Sequence, residues 1–125
     1  MPMMRVTLHL ARSKEHPQGS SAHGYEIVAP LDAEGRLDPD LWKENRAACR
    51  VRRFWADEEY DLGHLVHRGG GRGGSWAFTY DIAGDEDDEA GYRLGNHRFD
   101  IGEYVSIRDD DGVMHTFEVA LVEPA

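Results

Sequence analysis

Residues 102–122 alternate in side-chain type with a period of two on either side of Asp109-Asp110-Asp111-Gly112. That pattern restricts the last quarter of the chain to a β-hairpin. In Gly102-Glu103-Tyr104-Val105-Ser106-Ile107-Arg108 and again in residues 113–122, branched or aromatic residues recur at every second position. Such residues suit a pleated surface buried on one side. The Asp-Gly pair supplies a left-handed turn residue with no Cβ to clash. Val113, His115, Phe117, Val119 and Leu121 are expected on the apolar side. A lone hairpin cannot bury such a face by itself, so other strands must cover it.

The remainder of the chain provides them. Residues 5–11 place Val6, Leu8 and Leu10 on one face, and residues 25–29 form a second strand that stops at Pro30. Residues 51–55 return to β. Residues 62–68 and 76–82 read as a hairpin around Gly69-Gly70-Gly71-Arg72-Gly73-Gly74, with Trp76, Phe78, Tyr80 and Ile82 as the strongest apolar stripe. A short strand is expected over 92–94. Residues 12–23 read as a long polar connection, 57–61 as a polar turn, and 83–91, with five consecutive acidic residues, as a solvated loop. One helix is predicted over 38–49. Asp38 can cap its free amides, Pro39 suits its first position, and Asp40 meets the positive end of its dipole. It should run about three turns, with Leu37, Leu41, Trp42, Ala48 and Cys49 toward the core. The fold class is therefore mainly β (or α+β): a small antiparallel β-barrel or rolled sheet of about seven strands with one short helix, forming a single β-rich domain over 1–125.

Charge narrows the partners. Twenty-four acidic residues against 14 basic ones give a net charge of −10. That balance opposes binding to nucleic-acid backbones, which needs Lys and Arg to displace counterions, and adhesion to anionic membrane surfaces. Arg46, Arg50, Arg52 and Arg53 form one local basic strip in an otherwise repelling field. Cys49 is the only cysteine, so no internal disulfide and no thiolate metal cage can form. The first ten residues lack the apolar core and small-residue cleavage site of a signal peptide, and no apolar run approaches bilayer length. A soluble, cytoplasmic protein is expected.

The chemistry-bearing motifs are few. His64 and His67 are three apart, a spacing that shares a face on a helix but is split between faces on a strand. Here the segment reads as strand, so joint chelation is not expected. His115 follows the apolar period of its strand. It is either a satisfied core or rim histidine, or a ligand or general base at a barrel mouth. The glycine-rich run lacks the Gly-Lys-Ser/Thr and following helix of a phosphate loop. Residues 109–112 lack the ligand spacing of a calcium loop. No serine sits in a Gly-x-Ser-x-Gly frame.

Two stretches resemble known families. Gly102 to Arg108, followed by Gly112-Val113-Met114-His115-Thr116-Phe117, looks like the second motif of the cupin superfamily, in which a His separated from the turn Gly by two residues binds a metal. The turn Pro is missing, the loop is one residue longer, and Val119 stands where the family commonly has Asn. The first cupin motif, an H-x-H followed by Glu, is absent. The resemblance implies a degenerate, metal-free barrel, or a metal-dependent or acid–base enzyme using His64 or His67, His97 and His115. Residues 98–105 also resemble a strand of flavin-binding reductase barrels, without their Arg-x-Tyr-Ser motif.

The reading favoured by the sequence is a non-catalytic module that binds a protein or small molecule, with no nucleic acid or membrane as partner. No catalytic residue, metal ligand or cofactor is assigned. The ligand-binding candidates are His64, His67, Arg68, Trp76, Tyr80 and His115.

Overall fold

The computed structural model describes residues 3–14, 16–56, 61–68, 75–80, 89–92, 98–108 and 113–125; for Asp61, Arg68, Ser75, Thr79, Tyr80 and residues 89–92 it describes the backbone alone. The described strands are β1 (Met3–Leu10), β2 (Ser20–Pro30), β3 (Arg50–Trp55), β4 (Asp61–Arg68), β5 (Ser75–Tyr80), β6 (Glu89–Tyr92), β7 (Tyr104–Arg108) and β8 (Met114–Pro124). Each pairs antiparallel with its neighbour in sequence, and β8 pairs antiparallel with β1, so the sheet closes into a barrel. Closure leaves no free edge. The expected mainly-β barrel is present, with eight strands rather than about seven. Gly69 to Gly74, Ile82, Leu94 and Asp109 to Gly112 lie outside the described residues.

The period of two sorts the side chains as the sequence indicates. Val6 and Leu8 of β1, Tyr25 and Ile27 of β2, Val51 of β3 and Leu65 of β4 are fully buried, as are Phe78 of β5, Val105 and Ile107 of β7, and Phe117 and Val119 of β8. Tyr25 lies at the centre of this interior, 5.2 Å between ring centroids from Phe78 and 5.1 Å from Phe117. Three rings from separate parts of the wall thus meet across the barrel, in the tilted and edge-on arrangements aromatic pairs prefer. Side chains fill an eight-stranded barrel of this kind. The outer wall is charged: Arg5 reaches Glu26 at 3.7 Å and Glu123 at 3.6 Å, and Arg52 reaches Glu26 at 3.2 Å, linking β8, β1, β2 and β3. Apolar inside and charged outside is the inverse of a membrane-spanning barrel. No described helix is long and apolar enough to cross a membrane.

Several expectations change. Leu121 does not follow Val119 inward; it is 42% exposed. The register steps from Thr7↔Leu121 to Leu8↔Val119, so Ala120 is an extra residue, and a bulge of this kind reverses the facing of the residues beyond it. The helix α1 (Pro39–Glu44) has six residues, followed by a 3₁₀ turn (Arg46–Ala48). Asp38 caps it as expected, its Oδ1 accepting from the amides of Asp40 and Leu41. It stops at Asn45, whose Nδ2 donates to the Leu41 carbonyl at 2.8 Å and whose backbone leaves the helical region. Leu41 is therefore only half-buried and Ala48 is exposed, while Leu37, Trp42 and Cys49 are in the core. Glu89 to Gly91, expected in a loop, belong to β6. The four arginines do not form one strip: Arg50 and Arg52 share the outward parity of β3, Arg53 takes the inward one with Val51, and Arg46 lies over the Trp42 ring at 4.9 Å.

Trp42 closes the lower end of the barrel, where β2 finishes and β3 starts. Its Nε1 donates to the Leu65 carbonyl at 2.8 Å, and its ring meets His67 and Trp76. Residues 31–38 are pinned beside it by the Leu31↔Leu37 bridge and by the Phe99 amide donating to the Gly35 carbonyl at 2.8 Å. At the opposite end the walls approach so closely that Gly24 has no room for a side chain. A Cβ there would stand 1.8 Å from the Leu8 carbonyl oxygen, and Phe54 covers the same spot. Gly24→Ala is therefore expected to cost about 3 kcal/mol, because the obstacle is backbone. Phe117→Ala should cost about 3–5 kcal/mol through the cavity it opens. Urea titration of both variants measures these losses; a Gly24→Ala protein as stable as the parent contradicts the β1–β2 packing described here.

Candidate functional site

The described side chains among the six sequence-predicted site residues, those of His64, His67, Trp76 and His115, do not converge on one place. His64 takes the outward parity of β4, opposite the exposed Arg50. His67 faces inward at the lower end, its ring 4.3 Å from that of its cross-strand partner Trp76. His64 and His67 thus lie on different sides of the wall, as their spacing on a strand requires. Trp76 is 3% exposed and belongs to the lower core. His67 Nε2 is buried there without a hydrogen-bond partner among the described residues. The side chains of Arg68 and Tyr80 lie outside the described residues. His115 lines an opening at the upper end, where β1 finishes and β2 starts.

That upper end holds a cluster built from four parts of the chain. Val51, Arg53 and Trp55 have one parity on β3, so Arg53 and Trp55 rise inward above the core. The Arg53 guanidinium lies over the Trp55 ring, 4.4 Å from its centroid. Trp55 also meets His23 of β2 edge-on at 4.6 Å and His115 of β8 at 5.4 Å. His23 Nδ1 is hydrogen-bonded to Ser20 Oγ at 2.7 Å, and its ring is 4.8 Å from His16 in the connection 11–19. Gly19, at φ +75°, helps fold this connection back: its amide donates to the His16 carbonyl at 2.9 Å. A cleft of about 380 Å³ lies between Leu10, Trp55 and His115 of the strands and Arg12, Ser13 and His16 of the connection. Its size is that of a small-molecule site.

A larger groove of about 1050 Å³ runs over the outer wall between residues 18–21 and 101–104, across outward-facing His9, Thr116 and Glu118. The groove is lined by His9, Arg12 and Tyr104 among others, whereas at the mouth the indole, imidazole and guanidinium groups are in direct ring contact with one another. Trp55, His16 and His23 were not singled out from sequence, and Arg53 was noted only as part of the basic strip. The period of two carried a usable signal for three of them, since His23 shares parity with Tyr25, and Arg53 and Trp55 share parity with Val51. His16 is brought in by the fold of its connection, which has no such period.

The described residues contain no group of three His, Cys, Asp or Glu side chains placed to hold a metal ion. His67 and His115 stand at opposite ends of the barrel, and His97 lies outside the described residues, so the ligand set implied by the cupin resemblance is not assembled among the described groups. No family model, curated protein or solved structure matches the chain.

Cys49, fully buried at the end of the 3₁₀ turn, has its thiol pushed up from about 9 to about 11 by burial. Its folded value lies above its unfolded one, so the neutral thiol stabilises the fold below about pH 9. That contribution fades as pH rises through about 11. Iodoacetamide at pH 8 should leave native Cys49 unmodified and label it fully in guanidinium chloride. Rapid labelling of the native protein would contradict the burial.

Proposed function

We propose that this chain is a cytoplasmic, non-catalytic, single-domain binding module that takes a small ligand at its barrel mouth. The reading is carried by the convergence of Trp55, Arg53, His16, His23 and His115 beside a cleft of about 380 Å³. The interior below is filled by Tyr25, Phe78 and Phe117, so a ligand sits at the rim rather than inside the barrel. Trp55 supplies a large rigid surface, and the imidazoles around it supply adjustable donors and acceptors. The unpaired cysteine agrees with a reducing compartment. Of the sequence-predicted candidates, His115 belongs to this site, and Tyr80 is proposed with it because β5 ends at the same side of the barrel. Binding of a protein to the outer groove is the second reading, favoured by exposed Ile101 and Tyr104 at its border.

Thermal-shift screening against metabolites tests the proposal. A ligand at a hundredfold excess over its Kd should stabilise the fold by about 2.7 kcal/mol. Trp55→Ala should weaken that ligand by about 2 kcal/mol, roughly thirtyfold in Kd, while His64→Ala on the outer wall leaves it unchanged. A ligand retained by Trp55→Ala and lost with His64→Ala would refute the mouth as the site.

A further inference from the structure

The mouth cleft is uneven in its chemistry. Leu10, Trp55, Val113 and Met114 are its apolar lining residues and Arg12, Ser13, His16, His115 and Thr116 its polar ones, Met114 and Thr116 having the outward parity of β8; no carboxylate is among the described lining residues. Two of those polar groups are uncommitted. The Arg12 side chain makes no ion pair or hydrogen bond to a described residue, and the His16 ring, lying near the His23 ring, has no hydrogen bond to a described residue. Ser13 Oγ accepts from the His16 amide at 3.2 Å, which leaves its hydroxyl hydrogen to donate. Arg12, Ser13 and His16 thus bring a guanidinium, a hydroxyl and an imidazole to the cleft that the Trp55 indole also lines.

We infer that the mouth takes a small organic acid with an apolar, aromatic body. The body rests against Trp55, and the carboxylate is held by the planar fork of Arg12, with His16 and Ser13 donating beside it. Guanidinium and carboxylate match in geometry and form paired, charge-assisted hydrogen bonds. The chain's net charge of −10 repels an anion at long range. That field is screened beyond about 8 Å at physiological ionic strength, so the contact groups make the selection. This inference rests on the mouth being the binding site.

Three probes that share one ring system test it: 2-naphthoate, 2-naphthamide and 2-naphthylmethylammonium, titrated while the Trp55 indole N–H resonance is followed by NMR. Trp55→Phe identifies that resonance. Naphthoate should shift it and bind about tenfold more tightly than the amide, and Arg12→Ala, at an exposed position, should erase the difference. Equal or tighter binding of the ammonium probe, or a naphthoate preference that survives Arg12→Ala, overturns the acid selectivity and leaves the mouth site standing. Failure of all three probes to move the Trp55 resonance overturns both.

Discussion

The antiparallel pairing of the first strand with the last is the constraint on which the rest of the molecule depends. Val6 opposes Val122 and Leu8 opposes Val119, so the two ends of the chain form one continuous stretch of wall. Without that seam the molecule would be a meander with two open edges and an apolar face in water, a marginal and aggregation-prone arrangement. With it, every strand has two neighbours, and inward parity becomes interior. The seam joins residues more than 100 positions apart, from Met4 with Pro124 to Leu10 with Phe117, so loop closure must precede the contacts that stabilise it.

Closure also divides a filled interior from a functional rim. Tyr25, Phe78 and Phe117 occupy the middle, and Trp42 with the 31–38 segment closes the lower end. The upper end is treated differently. There the inward positions change from apolar to Arg53, Trp55, His23 and His115, groups whose polar atoms need partners that a dry core does not supply. The same two-residue alternation that builds the core therefore also builds the mouth, at the next inward positions of β2, β3 and β8.

The strands were legible in sequence because alternation is a local signal. Val105, Ile107, Phe117 and Val119 pointed inward as their spacing required. Leu121 did not, because Ala120 is an extra residue between two ladders, and a bulge depends on how β8 fits β1, which no stretch of β8 alone reveals. The helix had a sound start at Asp38 and a poorly marked end: Asn45 and the anchoring of Trp42 on Leu65 ended it early. His64, His67 and His115 drew attention as residue types. Which of them stand together depends on strand order around the barrel, and β4 and β8 are four strands apart. The shared parity of Trp55 with Val51, and of His23 with Tyr25, was equally readable at the ends of their strands.

The seam between β1 and β8 is tested most directly by cross-strand nuclear Overhauser effects in the unmodified protein. A closed barrel gives backbone contacts between Thr7 and Leu121 and between Leu8 and Val119, with slowly exchanging amides along that stretch of β8. An open sheet gives neither: those contacts would be missing, and the β8 amides facing β1 would exchange rapidly.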